Sequence, residues 1–366
     1  MTAGDVANLG GLSVVEVDDF AEWDARARDA GWTDGLPVAP PTVEAVEAIL
    51  AATPPTPDPI ASVPPGFGIL TRHLFAAQCA MAGCRPEHAP VVLAAIEAIL
   101  EPGFNLYGVQ CTTNPCAPLT IVSGPIVEEL GFHAGDGAFG GGSHASAAVG
   151  RAIRLILWNV GDAQPGQPDM AALGHPGKYA FCVAENGAEN PWPSVHTDFG
   201  LPDDASCVTV FACQSPDATL LSGEADEILD LLRISLPVPT MNMFHSNGQY
   251  LVTFNPRVAQ ELARGGYDRP SIRSWLFEHA RYRVGTLREA GLFDADDTLR
   301  SYWGWRSDCG IDLSTADDDT LLPMVKHEDD IHLLVTGGMG QWWGGVSAGW
   351  GDYGGYARSR EIRSGQ

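Results

Sequence analysis

Lysine is almost missing from this chain. Lys178 and Lys326 are the only two in 366 residues, and 21 basic side chains face 46 acidic ones, a net charge of −25. A field of that sign repels polyanions, so nucleic acid and anionic membrane surfaces are excluded as partners. Cysteine is also scarce: eight residues are too few for a disulfide scaffold. Long apolar runs are lacking, since the longest, VVLAAIEAIL from Val91 to Leu100, is broken by Glu97 and too short to cross a bilayer. The opening MTAGDVANLGGLSVVEVDDF has neither the basic start nor the apolar stretch of a secretory leader. These absences make the cytoplasm the expected location. Nucleotide motifs are missing as well. GGMG (Gly337 to Gly340) has no following Lys-Ser/Thr, no GxGxxG follows a first strand, and there is no GxSxG elbow.

What the chain does contain is core material. Hydrophobic residues make up 45% of it, enough for about two domains or one large α/β unit. Residues 1–70 read as an acidic helix, the ordered loop GWTDGLPVAPPT, a short helix capped by Thr42, and a proline-rich stretch from Pro54 to Gly68 running extended over the surface. From His73 to Leu100 the pattern is helical twice over, broken at Arg85-Pro86. Strand-like runs then alternate with helices: YGVQCTT, LTIVSG, YAFCVAE, CVTVFAC, YLVTFN and IHLLVTGG. The expected fold class is α/β, with mixed layers of short strands and helices.

One similarity inside the chain suggests two related α/β halves, residues 71–200 and 201–366. LTIVSGPIVEELGF (Leu119 to Phe132) and YLVTFNPRVAQELARGGY (Tyr250 to Tyr267) share a strand, a proline and a helix opening. Pro125 and Pro256, 131 residues apart, are expected at the same first helical position.

The densest polar segment is GHPGKYAFCVAENGAENPWPSVH, Gly174 to His196. Glu185 and Asn186 end an apolar strand, where α/β proteins open onto a ligand crevice. Glu185 and His196 form the expected acid–base pair, with His175 and Lys178 polarising an oxygen or binding a carboxylate. Lys178 could also form a Schiff base, or simply lie along the surface. At ~3.3 Å per residue it would start ~23 Å from Glu185, so the two meet only if the HPGK turn joins another crevice. Cys84 precedes Arg85 at a helix boundary, a setting that activates a thiol, although free cysteine is more often a buried apolar residue. Cys111 and Cys116 lack zinc-knuckle spacing, and His327 and His332 lack the HExxH spacing, so no metal site is expected. Two glycine clusters remain. HAGDGAFGGGSHASAAVGRA leads into a helix and would aim amides at an anion, while the tail from Ile331 to Gly355 suits a lid, a wall over an apolar ligand, or a subunit contact.

GWTDGLPVAPPT, MAGCRPEHAPVVLAAIEAIL, FNLYGVQCTTNPCAPLTIVSGPI, LGHPGKYAFCVAEN, the block around FEHAR and the closing VTGGMG together resemble a family of uncharacterised bacterial proteins. The resemblance covers nearly the whole chain, from Gly31 to Ile362. It implies an association with small thiol- or selenol-bearing proteins named for a U/C-G-S-C motif, and hence reductive or C–S bond chemistry. This chain has no CGSC itself; Cys309-Gly310-Ile311-Asp312 differs from it. The resemblance favours Cys84 and the HPGK…AEN segment over Cys111 and Cys116.

Two functions are therefore expected. One is a cytoplasmic enzyme, lyase- or oxidoreductase-like, acting on a small-molecule substrate between two halves. The other is a non-catalytic binding or scaffold subunit serving a separate thiol or selenol protein. A homo-oligomer fits either, and no cofactor is indicated. If Glu185, His175 and Lys178 converge on one pocket, the enzyme is favoured; if they part, the subunit is.

Overall fold

The apolar runs become strands buried on both faces. Every residue of Cys207–Cys213, Tyr250–Phe254 and Ile331–Val335 is buried, and such strands need a packed layer on each side. The computed structural model describes residues 8–238, 248–292, 310–312, 315–351 and 354–363. Its two principal sheets are built from β1 (Ala117–Ser123), β2 (Cys182–Ala184), β3 (Cys207–Cys213), β4 (Asp217–Leu220), β5 (Tyr250–Phe254), β6 (Ile331–Val335), β7 (Trp343–Ala348) and β8 (Arg358–Glu361).

The first sheet has the order β8-β3-β1-β2 and the second β4-β7-β5-β6. In each, a parallel pair (β1 with β2, β5 with β6) continues into two antiparallel strands. The edge strands are exchanged. β4 follows β3 along the chain but pairs with β7, whereas β8 follows β7 but pairs with β3. At the crossover Cys213 bridges Gly349, with Gln214 N donating to Ala348 O at 3.0 Å and Trp350 N to Ala212 O at 2.9 Å.

Helices close the outer faces. The helices are α1 (Phe20–Asp29), α2 (Val43–Ala52), α3 (Arg72–Met81), α4 (Ala89–Ile99), α5 (His144–Asn159), α6 (Ala225–Ser235), α7 (Pro256–Arg264) and α8 (Arg269–His279), besides shorter turns. α3, α4 and α5 share a core with Val122, Val208 and Val210 of the first sheet. α6, α7 and α8 pack on Val252, Phe254 and Val346 of the second. Leu119, Ile121 and Phe211 meet Leu251 and Leu334 between the sheets. The result is four layers, helices–sheet–sheet–helices, in the expected α/β class. α5 approaches β2 closely because residue 150 is glycine: a Cβ there would lie 2.9 Å from Phe181 N. The GWTDGLPV loop is ordered, with Arg151 of α5 donating to Asp34 at 2.8 and 3.1 Å and to the carbonyls of Leu36 and Pro37.

Several local expectations change. YGVQCTT is not a strand: Leu106–Cys111 is helical, because Asn105 accepts from Gly108 N at 3.2 Å and buries Leu106 and Val109 on one side. Within the proline-rich stretch Ala61–Val63 pairs with Gly68–Leu70 as a small hairpin. Pro125 and Pro256 do not share a position; Pro125 is the N-cap of Ile126–Glu129, and Pro256 is the first residue of α7. Facing agrees. Leu119, Ile121, Leu251 and Leu334 point between the sheets, while Val122, Val252 and Phe254 point outward. Odd residues face inward in both β1 and β5, so an offset of 131 inverts one strand relative to the other. The sheets also do not divide at residue 200, since β3 and β8 belong to the first sheet. Part of the Gly/Trp-rich tail is sheet: Trp343–Ala348 pairs on both sides within the second sheet. Tyr353 and Cys309 lie outside the described residues.

Candidate functional site

The five side chains singled out from sequence do not converge. Lys178 and His175 precede β2, and Glu185 and His196 follow it. Lys178 Nζ binds both carboxylate oxygens of Asp169, at 2.7 and 2.9 Å, and Arg154 Nη2 reaches the same group at 3.8 Å. Asp169 is buried, so this lysine is the counter-ion of an interior carboxylate and not an amine free to attack. His175 Nδ1 accepts from Gly177 N at 3.1 Å, and its ring packs edge-on against Phe181. Burial, followed by the charge of Lys178, pulls its pKa below the usual histidine value.

Glu185 and His196 are enclosed separately. Val195 N donates to both Glu185 oxygens at 3.0 and 3.1 Å, and Asn190 Nδ2 adds a bond at 3.0 Å. Burial pushes the Glu185 carboxyl up to about 7, against the opposing pull of Arg269 and the Val195 amide. His196 is buried between the Ser123 hydroxyl, 2.7 Å from Nδ1, and the Pro202 carbonyl, 2.8 Å from Nε2. The carbonyl can only accept, so Nε2 donates to Pro202 O, and Nδ1 shares a hydrogen bond with Ser123. Both nitrogens are occupied. These contacts anchor the segment after β2.

Cys84 is equally committed. It packs in the core with Cys79 and Cys182, and its Sγ lies 3.4 Å from Ala148 O. Arg85, expected to activate it, turns outward to Glu87 at 3.6 Å. The seven described cysteines are all free thiols, and burial raises the pKa of Cys116 to about 12. Among the described residues no three His, Cys, Asp or Glu side chains stand close enough to hold a metal, and no single helix is long and apolar enough to cross a membrane.

Sequence reasoning missed the buried ionic seam beside Glu185. Asp198 accepts from Arg269 and from Arg273 Nη2 at 2.8 Å, while Arg269 also donates to the carbonyls of Pro193 and Leu333. His332 lies between the rings of Phe199 and Phe211 at 5.7 and 5.5 Å. Burial, with Arg273 and Arg269 nearby, lowers its pKa to about 3. These groups are scattered over 140 residues of sequence, and no local spacing announces them.

The open site lies elsewhere, at the C-terminal end of β5 and β6. A cleft of about 460 Å³ is lined by Asp136, Phe139, Pro216, Thr253, Asn255 and Trp343, with glycines between Gly337 and Gly345. The two glycine clusters seen in the sequence thus form walls of one cavity. Asn255 shapes it: Oδ1 caps α7 by accepting from Val258 N at 3.1 Å, and Nδ2 donates to the carbonyls of Gly338 and Gln341. Gly337 N is tied to Ala134 O at 2.8 Å, and Asn186 Nδ2 donates to Gly337 O at 3.2 Å. Asn186 is therefore the part of the expected AEN site that reaches the cavity wall. A Cβ at residue 338 would lie 1.6 Å from Asp136 Oδ1, so a side chain there would displace the Asp136 carboxylate.

Two threonines line the cleft with different fates. Thr336 Oγ1 donates to Ala184 O at 2.6 Å. Thr253, 6% exposed, has no hydrogen-bond partner for its hydroxyl among the described residues. A larger hollow of about 720 Å³ beside Arg257, Arg264 and Met339 contains no such buried, unpartnered group. No protein-family model, curated protein or solved structure matches the chain.

Proposed function

We propose that this protein binds a small polar molecule in the cleft between its two glycine-rich loops, as a binding or scaffold subunit and not as an acid–base enzyme. The observation that carries the reading is Thr253, a residue of the cavity lining whose buried hydroxyl has no partner among the described residues. A buried hydroxyl without a partner costs free energy, and a ligand atom restores the missing bond. The cavity is of a size that takes a metabolite. Separation of Lys178 from Glu185, each held by its own structural partners, supports binding over catalysis. The core position of Cys84 argues against reductive chemistry on this chain, leaving any thiol or selenol step to a partner protein. Free thiols at all seven described cysteines support a reducing, cytoplasmic setting.

The test is a thermal-shift screen of the full chain against metabolite mixtures, repeated with Thr253→Val and with Thr253→Leu, which pushes a larger side chain into the cavity. Compounds that stabilise the native protein should lose their effect on both variants. Hits that stabilise Thr253→Leu as well as the native chain would place binding elsewhere and refute the reading.

A further inference from the structure

Resting on that cleft, we infer that its ligand carries a protonated amine on an apolar or aromatic body. Asp136 is the one ionisable side chain among the described lining residues. Its carboxylate has no hydrogen bond or ion pair among the described residues; only its backbone carbonyl is engaged, by His133. The carboxylate lies over the Gly338 backbone, where the missing side chain leaves it room. Thr253, also on the lining, carries a buried hydroxyl without a partner among the described residues, and such an oxygen can accept one proton of an ammonium group and donate none to it.

The remaining walls suit the rest of such a molecule. Phe139 and Trp343 are partly exposed along the lining, at 37% and 48%, where an aromatic surface favours both a cation and an apolar body. No side chain among the described lining residues carries a positive charge for an anion. In the first turn of α7, Val258 N is already taken by Asn255. Arg257 is committed to Gly340 O and to the ring of Trp342, 4.5 Å away. The net charge of −25 also concentrates cations and repels anions.

The experiment uses three probes of one shape on the full chain at low salt: phenethylamine, neutral 2-phenylethanol, and anionic 3-phenylpropionate. Binding is followed by ligand-observed saturation-transfer NMR and by thermal shift. Phenethylamine should bind at least about tenfold more tightly than either analogue, because a charge-assisted hydrogen bond is stronger than a neutral one. Asp136→Asn should remove most of that advantage, and Thr253→Val should weaken the amine further. Equal binding of all three probes, or an amine affinity unchanged in Asp136→Asn, overturns the inference. So does a lack of amine binding up to about 10 mM. The cleft reading is judged separately by Thr253→Leu: if that variant abolishes binding of the neutral or anionic probe, the cleft stands and only the amine fails. If it leaves their binding intact, both fail.

Discussion

Replacing Thr253 by valine exchanges a hydroxyl for a methyl within β5, where no described residue offers the hydroxyl a hydrogen bond. Such a group costs about 1–3 kcal/mol relative to its hydrated state in the unfolded chain. Valine fills nearly the same volume and fits a strand at least as well. Thr253→Val should therefore stabilise the ligand-free protein by about 1–2 kcal/mol. At a urea slope of about 3 kcal/mol/M this is a midpoint rise of about 0.5 M, read by tryptophan fluorescence. Thr336→Val is the matched control in the same cleft. It removes the 2.6 Å bond to Ala184 O and should lower stability by about 1 kcal/mol. Opposite signs for two chemically identical changes are the signature sought. A midpoint that falls in Thr253→Val would mean that the hydroxyl already has a partner, and the case for the cleft would go with it.

Four further outcomes follow from the other sites. Glu185 has its carboxyl raised from 4.5 to about 7, so its contribution is complete below pH 4.5 and is lost as pH rises through 7. Glu185→Gln should flatten that loss, a difference of about 3 kcal/mol between the two ends, measured by urea midpoints across the range. His332 runs the other way: lowered from 6.5 to about 3, it contributes fully above pH 6.5 and loses that as pH falls through 3. His332→Phe, stacked between Phe199 and Phe211, should make the protein more resistant to acid than the native chain, and equal acid midpoints would refute this. Lys178→Met leaves Asp169 buried beside a single arginine at 3.8 Å and should cost about 3 kcal/mol without altering affinity at the cleft; a change in affinity there would restore Lys178 to the site. Finally, Cys84 should react with a thiol reagent only after denaturation, so labelling of the native protein at that residue contradicts its burial.

The fold class was readable because strand runs such as CVTVFAC and YLVTFN are apolar throughout and are bounded by turn residues. Periodicity gave their existence but not their partners. Pairing of β8 with β3 links residues about 150 apart, and nothing in RSRE names that neighbour. YGVQCTT misled because its β-branched and aromatic residues outweighed a single capping asparagine, Asn105, outside the run. The Gly174 to His196 segment drew attention for its polarity, and that polarity is largely internal: Asn190 and the Val195 amide serve Glu185, and His196 serves Ser123. Dense polar sequence marks a place where backbone turns need satisfying as readily as it marks a ligand. Thr253 had the opposite fate. In YLVTFN it reads as one more strand residue, and only the neighbouring glycines of β7 and the Gly337 turn leave a space beside it. An unfilled volume is a property of several segments at once, so no single stretch of sequence displays it.

The exchanged edge strands have a consequence for how the polypeptide can be made. As the chain emerges from its N-terminus, β1, β2 and β3 are complete by residue 213, yet the outer edge of β3 stays uncovered until Arg358–Glu361 arrives. About 145 residues of synthesis separate the two, which at 5–20 residues per second is roughly seven to thirty seconds with an open, apolar strand edge. Meanwhile β4 is already out and waits for β7. The second sheet has all four of its strands by Ala348, while the first, begun earlier, still lacks its edge. A nascent or truncated product lacking β8 keeps an edge that invites pairing with another chain, and the first sheet closes only when Arg358–Glu361 turns back to a part that was synthesised long before it.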